Sequence, residues 1–120
     1  MYLYSTLVLP VLWSVVVAKQ YDYCACQYSS NGQVYFSVVD RIAADCSNPY
    51  VYGQGDNELW IPAPNGWGPK FSGRYLKNPN GKIDGPAFYD LCSRSGAGDS
   101  TCFDCGATQS NGDLTLICTG

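Results

Sequence analysis

The side chains of this chain that are best suited to chemistry are seven cysteines, and no histidine accompanies them. They are Cys24, Cys26, Cys46, Cys92, Cys102, Cys105 and Cys118. Because histidine is the commonest general base and metal ligand, its absence excludes Ser-His-Asp and Cys-His mechanisms. Disulfide formation is the chemistry that the sequence favours.

An odd number of cysteines permits at most three intramolecular disulfides and leaves at least one thiol over. Cys24 and Cys26 lie on the same face of a predicted strand, about 6–7 Å apart, so they should pair with different partners. The predicted pairings join Cys24 or Cys26 to Cys92 or Cys46, and join Cys118 to Cys102 or Cys105. The spacing does not identify the cysteine that is left unpaired.

Cys102 and Cys105 form a Cys-x-x-Cys pair, which invites a redox interpretation. A redox pair normally opens a helix, whereas this one follows a Gly-rich loop and runs into Gly106, so a structural role is favoured. A zinc site that adds Cys24 and Cys26 has acceptable spacing, but an oxidising compartment favours disulfides. We expect no metal and no other cofactor.

A glycosidase would need two carboxylates at a set separation, and Glu58 is the single glutamate of the chain. Asp56 lies two residues away, and Asp84, Asp90 and Asp104 are further candidates. The alternative is that Asp56 and Glu58 are solvated loop charges and that Asp84 caps a helix. We therefore expect that the protein is not an enzyme.

Aromatic residues are numerous, and two tryptophans lie in a stretch rich in Pro and Gly. Exposed rings in such a stretch stack on sugars or contact a partner protein. The candidate binding surface consists of Tyr50, Tyr52, Trp60 and Trp67. The alternative is that these rings cover a thin core.

Residues 1–18 contain no charged side chain, and residues 7–13 form an apolar run. This run has the length of the hydrophobic region of a signal peptide and is too short for a membrane span. Val16 and Ala18 satisfy the small-residue rule of a cleavage site, although a buried strand or a retained anchor is an alternative. We predict a signal peptide over 1–18 and one cysteine-rich secreted domain over 19–120.

The formal net charge is −3, with no cluster of Lys and Arg. Binding to nucleic acid or to an anionic membrane through a basic patch is therefore not expected. The C-terminal residues 116–120 lack the long apolar tail of a lipid-anchor signal. We expect an extracellular monomer without a membrane anchor.

Local patterns predict the elements that position these residues. Residues 21–28 predict a strand and 29–32 a turn. Apolar residues recur every four positions over 33–46, which predicts a helix that brings Cys46 to the core, although 34–39 alone is compatible with a strand.

A second predicted helix begins at Asp84, a favourable N-cap residue, with Pro86 in its first turn and Cys92 facing inward. The other predicted elements are strands at 58–61 and 70–76, a turn at 78–81, and a hairpin of 101–106 with 113–119. This order predicts an α+β fold with two helices packed on one face of a mainly antiparallel sheet, in a split βαβ, ferredoxin-like arrangement.

Several short segments resemble small secreted cysteine-rich proteins of filamentous fungi, many of them candidate plant-infection effectors. They are Cys24-Ala25-Cys26-Gln27, the predicted helix that ends at Cys46, Phe71-Ser72-Gly73, the stretch from Phe88 to Cys92, and the stretch from Gly98 to Cys102. The element order is also similar to the α/β-sandwich of the smut-virus killer toxins. The chain departs from the cysteine pattern of these proteins at Asp45, Leu76 and Leu91.

This resemblance implies secretion toward a host, in the apoplast or beyond it, and action on a host protein or extracellular glycan by binding. A killer-toxin-like antimicrobial protein and an apoplastic carbohydrate binder are the main alternatives. A small hydrolase built on Glu58 and an aspartate is a further one.

Overall fold

A computed structural model describes residues 19–53, 58–110 and 115–120. The predicted signal peptide at 1–18 and the candidate carboxylate Asp56 lie outside the described residues. In chain order the elements are β1 (Gln20–Tyr21), β2 (Tyr23–Gln27), α1 (Phe36–Ala44), β3 (Val51–Tyr52), β4 (Leu59–Trp60), β5 (Leu76–Lys77), β6 (Ile83–Asp84), α2 (Gly85–Arg94), β7 (Asp99–Phe103), β8 (Thr108–Ser110) and β9 (Thr115–Cys118).

The largest sheet has the order β3–β5–β2–β7, and all of its pairs are antiparallel. Its longest ladder joins β2 to β7 over five residue pairs, from Tyr23 opposite Phe103 to Gln27 opposite Asp99. A second sheet has the order β4–β9–β8, in which β4 and β9 are parallel, and β1 pairs with β6.

The predicted α+β class, with two helices and mainly antiparallel strands, is confirmed. The prediction of a single sheet is wrong, because the described strands divide among three sheets. Much of the chain between β4 and β5 cannot extend a ladder, since Pro62, Pro64 and Pro69 have no N–H to donate.

Three other predicted elements differ in their bounds or partners. Helix α1 begins at Phe36 and not at residue 33, because Val34 forms a bridge with Gln27. The strand predicted at 70–76 is reduced to β5. The C-terminal strand β9 pairs with β8 and not with the strand at 101–106.

The core contains strand β2 and a cluster of aromatic rings. Cys24, Ala25, Cys26 and Gln27 are all buried, so both faces of β2 are covered. The ring of Phe103 lies 5.1 Å from that of Tyr23, 5.0 Å from that of Trp60 and 4.9 Å from that of Tyr75. Burial raises the pKa of the Tyr75 phenol well above its usual range.

The disulfides are Cys24–Cys102, Cys26–Cys92 and Cys105–Cys118. Cys24 and Cys26 therefore have different partners, and Cys118 pairs with one of its two predicted partners. The first two bridges fasten β2 to β7 and to α2, and the third joins the segment after β7 to β9.

Cys46 is the free cysteine and is exposed, so the prediction that α1 brings it to the core is wrong. The helix ends at Ala44, two residues before Cys46. The Asp45 carboxylate accepts hydrogen bonds from the backbone N–H and the hydroxyl of Ser47, at 2.9 and 2.7 Å, and this local turn ends the helix. The same bonds lower the pKa of Asp45.

Candidate functional site

The four aromatic residues of the predicted binding surface do not lie together on one exposed surface. Trp60 is 0% exposed, so its assignment to a binding surface is wrong. Its backbone N–H and C=O both hydrogen bond to Gly73, at 2.9 and 3.0 Å, in a bridge beside the buried rings. Trp67 is 53% exposed and lies in the loop that follows β4.

Tyr50 directly precedes β3 and Tyr52 ends it, and both residues are half-buried. The ring of Tyr50 packs edge-on against Phe88 at 5.2 Å, and burial together with the nearby Asp84 carboxylate raises the pKa of its phenol. The phenol of Tyr52 donates a hydrogen bond to Asp40 of α1. Tyr50 is thus a packing residue, whereas Tyr52 belongs to a polar cluster.

This cluster is centred on Arg74. Its Nη2 lies 3.2 Å from Oδ2 of Asp40, and its guanidinium carbon lies 5.0 Å from the centre of the Phe36 ring. Phe36 and Asp40 are four residues apart in α1, so their side chains are neighbours on one face of the helix. A single arginine can therefore contact both.

The backbone on each side of Arg74 is fixed. Gly73 is buried against Val34, and a Cβ atom at Gly73 would lie 2.5–2.8 Å from the Val34 side chain. Tyr75 is fully buried and donates its phenolic hydrogen bond to the carbonyl of Phe71 at 2.8 Å. Arg74 is consequently presented from a rigid segment.

We call the resulting patch the Phe36 surface, and it consists of Phe36, Asp40, Tyr52 and Arg74. Phe36 is 36% exposed. Aromatic rings and arginines are the side chains that most often dominate binding energy at protein interfaces. The polar contacts of Arg74 and Tyr52 hold these groups in place without a ligand.

A second aromatic feature lies before α1. The rings of Tyr28 and Tyr35 stack with centres 3.9 Å apart and planes at 18°, and Tyr28 is 56% exposed. The two residues are held by backbone hydrogen bonds from Tyr28 N–H to the Gln33 carbonyl (3.1 Å) and from Tyr35 N–H to the Cys26 carbonyl (2.8 Å). The stack presents an exposed aromatic face.

Four residues of these two features were not predicted from the sequence, namely Phe36, Arg74, Tyr28 and Tyr35. The consecutive aromatics Tyr35 and Phe36, shortly after the Asn31-Gly32 turn, were a usable signal. No local pattern indicates Arg74, because its contacts depend on the folding of β5 beside α1.

The candidate catalytic carboxylates hold structural contacts. Glu58 is buried and accepts a hydrogen bond from the N–H of Gly53 at 3.0 Å. Asp90 pairs with Arg94 at 3.0 Å, within α2. Asp84 occupies the N-cap position of α2 as predicted, but its side chain makes no capping hydrogen bond. In the described ranges, no three His, Cys, Asp or Glu side chains are grouped to hold a metal ion.

Among residues 19–53, 58–110 and 115–120, no helix is long and apolar enough to cross a membrane. A comparison with protein-family models finds no match, and comparisons with curated proteins and with solved structures find no significant similarity. What the chain does must therefore be argued from its own surface.

Proposed function

We propose that this chain is a secreted effector of the fungal cysteine-rich type that binds a host protein through the Phe36 surface, without catalysing a reaction. The observation that carries this proposal is the contact of Phe36 with Arg74, held by Asp40 and Tyr52. A single protein partner with an apolar or aromatic contact patch fits these groups.

The Phe36 surface favours binding because its side chains are ordered before a partner arrives. Immobilising a flexible side chain such as arginine costs about 0.5–1.5 kcal/mol on association. Here Asp40 and the Phe36 ring already restrict Arg74. The pair is partly exposed, with 27% of the Arg74 side chain and 47% of the Asp40 side chain accessible. Ion pairs and cation–π contacts in such positions contribute about 1–2 kcal/mol or less each to folding, so the arrangement suits recognition as well as stability.

The disulfides support the location that this function requires. Three disulfides in a small chain fit an oxidising, extracellular location. The predicted signal peptide and the resemblance to secreted fungal proteins point to the same route.

The test compares variants of the protein, each purified from the culture medium of a cell line that expresses the full chain. The variants are Phe36→Ala and Arg74→Lys, which keeps the charge but loses the planar guanidinium. Trp67→Ala is the matched control, since it removes an exposed ring that is not part of the Phe36 surface. Each protein is immobilised and exposed to plant apoplastic fluid, and retained proteins are quantified by mass spectrometry.

We expect one plant protein that the unmodified chain and Trp67→Ala retain equally. Its retention should fall at least tenfold for Phe36→Ala and Arg74→Lys, with unchanged thermal unfolding. If every retained protein binds all four chains alike, the Phe36 surface is not the binding site.

The Tyr28–Tyr35 stack favours an alternative, because a flat exposed aromatic face suits stacking on a sugar ring. In this alternative the protein binds an extracellular glycan. Retention on insoluble chitin or β-glucan that Tyr28→Ala abolishes and Phe36→Ala leaves intact would favour the glycan binder over the host-protein binder.

A further inference from the structure

Strand β7 lies at one end of the largest sheet and pairs only with β2 among the described strands. The Cα atoms of Cys24 and Cys102 are 4.1 Å apart, which identifies them as a non-hydrogen-bonded pair. Such pairs alternate along an antiparallel ladder, so Cys26 and Ser100 form another. The backbone N–H and C=O groups of Ser100 and Cys102 therefore point away from β2.

Hydrogen bonds agree with this orientation. The Cys26 carbonyl accepts a bond from Tyr35 on the side of β2 opposite β7, as a non-hydrogen-bonded pair requires. Ser100 N–H donates to the side chain of its neighbour Asp99, at 2.7 Å. Within the described ranges, the Ser100 carbonyl and both backbone polar groups of Cys102 have no backbone partner. The outer edge of β7 is open to another strand.

A groove of about 330 Å³ runs beside this edge, between β7 and the start of α2. Ser100 and Cys102 line it from the strand, and Tyr21, Pro86 and Tyr89 form an apolar wall. Tyr89 is 46% exposed although it is a large apolar side chain on the groove. An extended segment placed along β7 would cover it.

Lys19 is the charged residue among the described residues that line the groove. Lys19 lines the groove with Cys102 and is fixed there, because its carbonyl accepts a hydrogen bond from Gly85 N–H at 2.9 Å. Asp99, which begins β7, does not line the groove, and its carboxylate accepts hydrogen bonds from the Ser30 hydroxyl at 2.6 Å and from Ser100 N–H at 2.7 Å. The charge of Lys19 therefore favours an occupant with an acidic group.

We infer that the β7 edge groove binds an extended peptide segment of a partner protein as an added strand. The segment carries an acidic group beside Lys19 and a β-branched or aromatic side chain against Tyr21 and Tyr89. Backbone hydrogen bonds supply affinity in this mode of recognition, and the alternate side chains supply specificity. The groove lies at the opposite end of the sheet from β3 and the Phe36 surface, so it is an additional site.

The test selects binders from a displayed library of random decapeptides against the protein purified from the medium after expression of the full chain. Ser100→Pro places a ring on the outer edge, which an edge strand tolerates, and it also removes the N–H that bonds to the Asp99 carboxylate. Lys19→Glu reverses the charge at one end. Phe36→Ala and Trp67→Ala are matched controls away from the groove.

We expect enriched peptides with alternating β-branched or aromatic residues and an acidic residue near one end. The tightest synthetic peptide should lose at least tenfold in affinity for Ser100→Pro and for Lys19→Glu. Exchange of its acidic residue for lysine should restore binding to Lys19→Glu. Both control variants should bind as the unmodified protein does.

Three outcomes overturn the inference. The first is the absence of any enriched peptide, and the second is equal binding by Ser100→Pro or, if that variant does not fold, by both Lys19→Glu and Tyr89→Ser. The third is a dimer in sedimentation that Ser100→Pro dissociates, because a second copy would then occupy the edge. None of these outcomes bears on the Phe36 surface, since its test uses other variants.

Discussion

At the scale of single residues, Asp22 makes polar contacts with three residues that are distant in the sequence. Its carboxylate accepts hydrogen bonds from Cys105 N–H at 3.0 Å and from Lys82 at 2.9 Å, and its own N–H donates to Asp104 at 2.9 Å. Partial burial alone would raise the pKa of Asp22, but the bonds from Lys82 and Cys105 lower it overall. The same contact with Asp22 raises the pKa of Lys82.

The sign of the pH dependence follows from these directions. A carboxylate whose pKa is lower in the folded state stabilises the protein above its unfolded pKa of about 3.9, and this contribution disappears as the pH falls through the folded value. The contribution of Lys82, whose pKa is raised, is complete below its unfolded pKa of about 10.4 and is lost as the pH rises through the folded value. Both contributions are therefore present at pH 7.

We predict that Asp22→Asn lowers the free energy of unfolding by about 1–2 kcal/mol at pH 7, since the charge-assisted bonds to Lys82 and Cys105 are weakened. Urea denaturation at pH 7 and pH 2.5 measures this difference. Asp90→Asn removes the same charge from an exposed pair within α2 and should cost about 0.5 kcal/mol or less. A difference for Asp22→Asn that persists undiminished at pH 2.5 would contradict the electrostatic origin.

At the scale of elements, those with their own boundary signals could be predicted. Strand β2 ends at a polar turn, and α2 begins at Asp84 with Pro in its first turn, as the sequence indicates. The bounds of α1 could not be predicted from periodicity, because Val34 pairs with Gln27 and Asp45 bonds to Ser47. In each failure, a contact formed by the fold overrides the local pattern.

The exposure of the candidate binding residues also could not be predicted from a local sequence pattern. Trp60 and Trp67 lie seven residues apart in the same Pro- and Gly-rich stretch, but the first is fully buried and the second is 53% exposed. The difference comes from contacts that form on folding: the Trp60 ring packs against Tyr23 and Phe103, and the Trp60 backbone pairs with β9 and with the segment at Gly73. The Phe36 surface depends on this same segment.

We predict that Gly73→Ala lowers the free energy of unfolding by about 1–3 kcal/mol, the usual cost of overpacking. The new Cβ would lie 2.5–2.8 Å from the branched side chain of Val34, so the bridge to β4 must shift. Gly106→Ala is the control, because its Cβ would have its nearest neighbour 3.5 Å away, at the Gly120 carbonyl. Thermal or urea unfolding of both variants measures the difference, and equal stability would mean that Val34 moves aside freely.

At the scale of the whole molecule, β2 connects most of the structure. It lies between β5 and β7 in the largest sheet, and its two cysteines reach β7 and α2. These two disulfides are nested, because Cys24–Cys102 encloses Cys26–Cys92 with sequence separations of 78 and 66. Cys105–Cys118 lies outside both, with a separation of 13.

Nesting predicts that the contributions of Cys24–Cys102 and Cys26–Cys92 to the free energy of unfolding are not additive. While one of them is present, the other closes only the two short segments between them, about 12 residues in total. By chain entropy, losing either one should therefore cost roughly 3 kcal/mol, as should losing Cys105–Cys118. Losing both also releases the long loop, so the cost rises to roughly 7 kcal/mol, comparable with the whole stability of a small domain.

Paired Cys→Ala variants measure these costs by urea denaturation. We expect each paired variant to be folded and similarly destabilised; the variants are Cys24→Ala/Cys102→Ala, Cys26→Ala/Cys92→Ala and Cys105→Ala/Cys118→Ala. The chain that lacks both Cys24–Cys102 and Cys26–Cys92 should be unfolded. Cys46→Ala is the matched control, because this free and exposed thiol closes no loop. If Cys24–Cys102 and Cys26–Cys92 instead stabilised the protein independently, each would restrict its own long loop. Loss of either one would then lower the free energy of unfolding clearly more than loss of Cys105–Cys118. That result would show that β2 is fastened by two independent bridges and not by one shared constraint.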